Sequence, residues 1–218
     1  MDKQKIDIRL LFETLLKEMG PQGWWPAESK LEIILGAILV QNTNWSNVEK
    51  SLENLKVITQ FSSHKIKRLS LEELELLIRP SGFYKNKAQT IKAVFDWFEQ
   101  YNWDYQFINQ QYGEKLREEL LTIKGIGFET ADVLLVYIFD RPVFIADAYA
   151  RRLFGWLQDD TFDTYDKLYK VIKLPEDFTD TEAQEFHGLI DEFGKRYLTN
   201  KTKKEKPFLN RNYLTGLK

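Results

Sequence analysis

The residues best suited to chemistry form a glycine-containing turn between two predicted helices, in residues 121–131. Gly125 and Gly127 have no side chains to block an approaching group, so backbone N–H groups next to a helix N-terminus can point at a phosphate. Lys124 adds a positive charge beside them. Such a contact would position a nucleic-acid strand without reading its bases. The alternative is that Gly-x-Gly simply joins two packed helices.

The elements that would hold this turn are helical. Apolar residues recur at spacings of three and four, and strand signals are weak; residues 143–145 are β-rich but too short for a sheet. The sequence therefore predicts an all-α protein of short helices joined by short loops. The predicted helices cover residues 8–17, 31–41, 46–55, 70–78 (with Ser70 as a cap), 87–100, 113–121, 128–139, 148–157 and 181–198.

Composition excludes several classes of site. The 218 residues include no cysteine, which rules out disulfides, thiolate catalysis, thiolate zinc sites and cysteine-ligated iron–sulfur clusters. His64 and His187 are the only imidazoles, so a histidine-rich metal site is not expected. No apolar run reaches the length of about 20 residues that spans a bilayer. The first residues lack the pattern of a signal peptide, so we expect a cytoplasmic protein, nucleoid-associated if bacterial.

The charge is unevenly distributed. The whole chain has a formal net charge of −2, but residues 195–218 contain eight basic residues and one acid, which leaves −9 for the remainder. Such a tail is either a solvated end or an electrostatic arm for phosphates.

These motifs together resemble the endonuclease III superfamily of helix-hairpin-helix DNA glycosylases, over about residues 30 to 200. The resemblance rests on residues 121–131 for the hairpin, 142–154 for the loop and helix start that follow it, 35–44 for an early helix ending in a Gln-rich loop, 82–88 for a later loop, and 187–195 for the segment before the family's usual cluster. It implies two helical lobes with an interlobe active-site cleft. One lobe would cover residues 31–140, and the other residues 1–30 plus 141–218.

The resemblance also implies site residues. Asp147 stands where the family places its catalytic carboxylate, and it is also a good helix N-cap; Asp132 and Asp140 are rival carboxylates that are better explained as structural or solvated. Gln41 or Asn42 would fill the space left by a flipped base. The full set of expected DNA contacts is Gln41, Asn42, Lys85, Lys87, Lys124, Gly125, Gly127 and Thr130.

Two departures narrow the expected activity. Glu129 stands where bifunctional members carry a lysine nucleophile, and a carboxylate cannot form an imine. The four cluster cysteines after Lys195 are absent, so we expect Tyr197, Phe208 and Leu209 to hold the C-terminal end by packing. Residues 24–26, 41–45 and 79–84 are most similar to the cluster-free 3-methyladenine DNA glycosylase branch.

The aromatic residues suit a pocket for such a base. Trp24, Trp25, Pro26 and Trp45 are candidate walls, because an electron-rich indole face favours a cationic alkylated purine. Each tryptophan could instead be a core residue. Lys195 either lies beside the pocket or complements the C-terminal dipole of its helix.

The sequence therefore predicts a monofunctional DNA glycosylase of base excision repair that removes alkylated purines such as 3-methyladenine, without AP lyase activity. Its partner would be double-stranded DNA with damaged bases, which it would flip from the duplex. No cofactor, metal or membrane contact is expected, and the protein would be a monomer. The alternatives are a bifunctional glycosylase/lyase for oxidised bases and a non-catalytic DNA-binding module.

Overall fold

The computed structural model describes residues 6–199 and 207–209, and this part of the chain is helical without strands. The predicted all-α class is confirmed. The basic tail predicted at residues 201–206, 211 and 218 lies outside the described residues. The helices are α1 (Ile8–Met19), α2 (Lys30–Leu39), α3 (Trp45–Thr59), α4 (Ser63–Arg68), α5 (Leu71–Leu77), α6 (Tyr84–Glu99), α7 (Tyr105–Tyr112), α8 (Leu116–Thr122), α9 (Phe128–Tyr137), α10 (Ala148–Gln158), α11 (Tyr165–Val171) and α12 (Asp180–Tyr197).

Side-chain caps begin most of these helices. The predicted Ser70 cap is confirmed: its hydroxyl accepts from the Glu73 N–H, and the Glu73 carboxylate accepts from the Ser70 N–H. This capping box satisfies two backbone donors at the start of α5. Helices α4, α7 and α11, which have six to eight residues each, were not predicted from the sequence.

The chain divides into two compact units. The central unit is Ala27–Phe139, and the terminal unit consists of the described residues of Met1–Pro26 and Asp140–Lys218. In the central unit, α2 packs against α3, α6 and α9. Helices α2 and α9 are apolar along most of their length and are largely buried. Their packing positions the turn that follows α2 and the glycine turn that precedes α9.

The terminal unit is built on α12, which packs against α1 and α10. The rings of Phe12, Phe178 and Phe186 meet edge to face in its core. The predicted packing of the C-terminal end is confirmed, since the Phe208 ring contacts Tyr197 and Leu209 is buried. Among the described helices none is both long and apolar enough to cross a membrane.

Candidate functional site

The predicted hairpin joins α8 to α9 in the central unit. Gly125 has a φ of +88°, a conformation that side chains disfavour, and a Cβ built there would lie 1.9 Å from Thr90 Oγ1. This position therefore requires glycine. Gly127 is the N-cap of α9 in extended backbone, and a Cβ built on it would meet open space. The absence of a side chain there leaves the start of α9 accessible.

The N-terminus of α9 differs from most other helix starts in the chain. Gly127 brings no side-chain oxygen to the first-turn N–H groups, whereas serine, threonine, asparagine or aspartate caps them in nine described helices, α1 to α5, α7 and α10 to α12. Thr130, in the first turn of α9, is buried, so its side chain offers little surface to an outside group. An uncapped helix start concentrates partial positive charge and suits an anion.

The lysines predicted near this hairpin differ in exposure. Lys124 is exposed and donates to Gln89 Oε1 at 2.9 Å, and Lys85 is exposed at the start of α6. Lys87 is only 6% exposed, and its ammonium donates to the carbonyls of Leu39 at 2.8 Å and Ser81 at 2.7 Å. The prediction of a phosphate contact by Lys87 is therefore wrong, because its charged group is turned into the protein.

The turn after α2 carries the predicted gap-filling residues. Gln41 donates from its side-chain nitrogen to Glu129 Oε1 at 3.2 Å, and Asn42 is exposed with a φ of +57°. A further candidate, missed at the sequence level, is Phe83, which is 65% exposed with a φ of +46°. The sequence feature that could have identified Phe83 is an aromatic residue directly after Gly82 in a turn, where burial is not expected.

Asp147 is fixed at the start of α10 in the terminal unit. It is 9% exposed, and its Oδ1 accepts from the Ala150 N–H at 2.7 Å, which confirms the cap prediction. Its other oxygen, Oδ2, lies 3.8 Å from His187 Nε2. The cap therefore holds one carboxylate oxygen and leaves the second directed at the imidazole of α12.

Three polar residues of α12 form one row beside this carboxylate. His187, Asp191 and Lys195 are spaced by four residues, which places them on one helix face. Lys195 Nζ lies 2.5 Å from Asp191 Oδ2 and 2.8 Å from Glu192 Oε1. Sequence reasoning missed His187 and Asp191, although this four-residue spacing was visible.

Burial and ion pairing oppose each other in this row. Burial raises the pKa of Asp191. The hydrogen bond from Lys195 and the imidazole of His187 both lower this pKa, but they do not outweigh the burial. Burial alone would lower the pKa of Lys195, but the hydrogen bonds to Asp191 and Glu192 outweigh it and raise that pKa. Lys195 is therefore held in its ammonium form.

Trp24 covers the same face of α12. A Cβ built at Gly188 would lie 2.6 Å from Trp24 Cβ, so the absence of that atom admits the indole. The Lys195 ammonium lies 5.0 Å from the centre of the Trp24 ring, and the His187 ring meets it edge to face at 6.5 Å. The Glu185 carboxylate accepts from the backbone N–H groups of residues 22 and 23, which fixes the loop that carries the indole.

The remaining predicted wall residues are placed as follows. Trp25 is half-buried, with its ring centre 5.9 Å from that of Trp24, and Pro26 is exposed at the end of the same loop. Trp45 belongs to the central unit, where it is the first residue of α3. Among the carboxylates, Asp132 is fully buried in a two-point ion pair with Arg117, so it is structural, and Asp140 is exposed.

Within the part of the chain that the structure describes, no three His, Asp or Glu side chains are grouped so as to hold a metal ion. The carboxylate and imidazole in the terminal unit can instead stabilise a developing positive charge or take a proton from water. The hairpin in the central unit can bind a phosphate.

Several known proteins are similar to this chain in sequence or in fold. A protein of Methanocaldococcus jannaschii, named as a candidate DNA repair glycosylase, is 37% identical over 211 residues, covering 89% of this chain and 90% of that protein. The structure of the 3-methyladenine DNA glycosylase MagIII of H. pylori bound to 1,N6-ethenoadenine is 34% identical with a TM-score of 0.66, covering 86% of this chain and 94% of that one. An endonuclease III trapped on DNA as a covalent intermediate shares the fold, with a TM-score of 0.68 at 22% identity over 95% and 93% of the two chains.

A family model, the HhH-GPD superfamily base excision DNA repair protein, matches residues 35–176. This match covers the hairpin, Asp147 and most of the helices between the chain's ends. The chain therefore belongs to the HhH-GPD superfamily of base excision repair DNA glycosylases.

Proposed function

We propose that this protein is a monofunctional glycosylase that hydrolyses the N-glycosidic bond of alkylated purines such as 3-methyladenine. The observation that carries the proposal is the fixed carboxylate of Asp147. One oxygen is held by the Ala150 N–H, and the other lies 3.8 Å from the His187 imidazole, next to the wall formed by Trp24. A carboxylate immobilised in this way needs little reorganisation when charge develops on a sugar.

The proposed reaction breaks the bond between the sugar C1′ and the base nitrogen. The electrons of that bond leave with the base, so the sugar acquires oxocarbenium character, and water then adds at C1′. Asp147 Oδ2 would stabilise the positive sugar or accept the proton of the attacking water. Because N3-alkylation already gives the base a positive charge, its departure needs little protonation.

The charges of the terminal unit favour a cationic base. Asp191 and Glu192 both contact the ammonium of Lys195, and the Asp147 carboxylate faces His187 one turn or more away on the same helix side. The Lys195 ammonium already lies 5.0 Å from the Trp24 ring centre, so a cationic base would use the ring face turned away from that ammonium, where a cation–π contact is worth about 2 kcal/mol when desolvated. A neutral oxidised base would gain less from this arrangement, so electrostatics support an alkylated purine as substrate.

Water is the better candidate for the nucleophile than a lysine amine. The second helix of the hairpin carries Glu129, which accepts from Gln41 and cannot form an imine. In the terminal unit, Lys195 is kept protonated by its two carboxylates, and an ammonium is not a nucleophile.

The central unit would hold the DNA duplex. Phosphates would bind at the uncapped start of α9, where Gly125 and Gly127 leave the backbone accessible. Gln41 and Asn42 would occupy the space of the flipped nucleotide, and the exposed ring of Phe83 would wedge between bases. The relative from H. pylori supports the substrate class, since its name states 3-methyladenine and it holds an ethenoadenine.

Release of 3-methyladenine from methylated duplex DNA tests the proposal. We expect release by the wild-type protein and a loss of at least about 100-fold in Asp147→Asn, which retains a capping oxygen but loses the charge. Equal release by both proteins would remove Asp147 from its role. The control is Asp132→Asn, which removes a buried ion pair with Arg117. We expect this variant to be less stable but to release the base at the wild-type rate when the rate is measured on folded protein.

Borohydride trapping tests the monofunctional part separately. We expect no covalent protein–DNA adduct when damaged duplex is incubated with wild-type protein and borohydride. A trapped adduct would show that an amine attacks the sugar, and it would refute the assignment of water as nucleophile.

A further inference from the structure

Lys87 joins the ends of two segments that lead into the proposed DNA contacts. Its ammonium donates to the Leu39 carbonyl at 2.8 Å and to the Ser81 carbonyl at 2.7 Å. Leu39 is the last residue of α2, two residues before Gln41, and Ser81 ends the 3-10 turn Arg79–Ser81, two residues before Phe83. One buried side chain therefore contacts the backbone just before each loop.

The two acceptors are carbonyls that helix geometry leaves without an intrahelical partner. The last carbonyls of a helix point outward at its C-terminus and carry partial negative charge. Leu39 and Ser81 are both fully buried, so water cannot satisfy them. The Lys87 side chain supplies N–H donors to both, and burial of this side chain lowers its pKa to about 8. Even the neutral amine has two N–H donors, one for each carbonyl.

A second set of contacts ties the same turn to the helix that follows Gln41. Ser81 Oγ lies 2.8 Å from Ser51 Oγ of α3 and 3.4 Å from the Asn47 carbonyl. The segment between α2 and α3 is thus held at its start through Lys87, and the first two turns of α3 that follow it are held through Ser81.

We propose that Lys87 is a positioning residue that sets the two loops carrying Gln41, Asn42 and Phe83 in the arrangement that engages a damaged duplex. The inference rests on the proposed function for the meaning of these loops, but the coupling of the loops is a property of the free protein. Removal of the amine would loosen both loops together, because each depends on the same donor group. Both loops would then have to be ordered when DNA binds, and this ordering would weaken the binding.

Helix α6 provides a matched control in Lys92. Its ammonium also donates to two carbonyls, those of Lys67 at 2.8 Å and of Leu69, which lie at the end of α4. Neither residue leads into a proposed DNA contact. Lys92→Met therefore removes the same kind of interaction from the same helix, and a purely structural role for Lys87 predicts that the two variants behave alike.

The test compares backbone hydrogen exchange in the free wild type, Lys87→Met and Lys92→Met. We expect exchange at residues 40–44 and 82–86 to rise about tenfold in Lys87→Met and to stay unchanged in Lys92→Met. Equal exchange in the two variants, or a change in only one of the two loops, would overturn the inference. If a methionine variant does not fold, Lys87→Gln and Lys92→Gln are compared instead, because each retains a shorter N–H donor.

Affinity for a duplex containing a tetrahydrofuran abasic analogue, with 2-aminopurine opposite it, provides the second readout. We expect Lys87→Met to bind about tenfold more weakly and to show less 2-aminopurine unstacking, whereas Lys92→Met matches the wild type. Wild-type affinity and unstacking in Lys87→Met would refute the positioning role. A wild type that binds this duplex but releases no alkylated purine would refute the proposed function alone.

Discussion

Substitution of Gly127 by aspartate should stabilise the protein while it weakens DNA binding. Asp is a better N-cap than Gly by a few tenths of a kcal/mol, and a negative charge at a helix N-terminus contributes about 0.5 kcal/mol more. The new Cβ meets nothing within 4 Å, so no steric cost opposes this gain. For a chain of 218 residues, about 1 kcal/mol corresponds to a rise in Tm of about 3 °C.

The expected loss of binding has two parts. The aspartate side chain would occupy the N–H groups that a phosphate needs, and its charge would repel that phosphate. Two like charges about 4 Å apart near a surface repel by up to about 4 kcal/mol, less in salt. We therefore expect about 100-fold weaker binding of a tetrahydrofuran-containing duplex at low salt.

Gly127→Asn and Gly127→Ala separate these contributions. Asparagine caps α9 without a charge, so we expect about tenfold weaker binding, and alanine provides neither a cap nor a charge. Binding is measured by fluorescence anisotropy at two salt concentrations, and stability by thermal unfolding. An aspartate variant that is more stable yet binds within twofold of the wild type would refute the role of these amides in phosphate binding.

Three further substitutions have expected outcomes. Gly125→Ala should lower the free energy of unfolding by about 3 kcal/mol in urea titration, because its Cβ would overlap Thr90 at positive φ; a loss below about 1 kcal/mol would contradict this. Gly188→Ala should displace Trp24 and reduce base release about tenfold while binding of undamaged duplex persists, so unchanged release would count against Trp24 as a wall. Lys87 has a pKa of about 8 in the folded protein and an ordinary pKa of 10.5, so the unfolded chain binds more protons between these two pH values. The free energy of unfolding of the wild type should therefore rise by about 3 kcal/mol from pH 8 to 10.5 relative to that of Lys87→Met. Parallel pH curves for the two proteins would refute the lowered pKa.

Local patterns in the sequence were sufficient for most of the helices and for the hairpin. The Ser70 capping box and the Asp147 cap depend on residues three positions apart, so short-range spacing specifies them. Gly125 could be recognised as a turn residue because positive φ is a local property. The packing of Phe208 was also expected, since the C-terminal end lacks the cluster cysteines and must be held by ordinary packing.

Long-range contacts decided the chemistry of the individual lysines. Lys85, Lys87 and Lys124 look alike in sequence, but only the fold turns the Lys87 ammonium inward onto two helix-end carbonyls. In the same way, the state of Lys195 depends on Asp191 and on the burial of their helix face. A side chain's charge environment is set by desolvation and by partners, and both depend on tertiary structure.

The sequence by itself therefore determined the all-α class, the glycine turn and a capping aspartate, because backbone conformation and capping act over a few neighbouring residues. Only the tertiary structure placed His187 against Asp147, and Trp24 over the missing side chain of Gly188. Those contacts join residues from distant parts of the chain, and their distances follow from how the helices of the terminal unit pack.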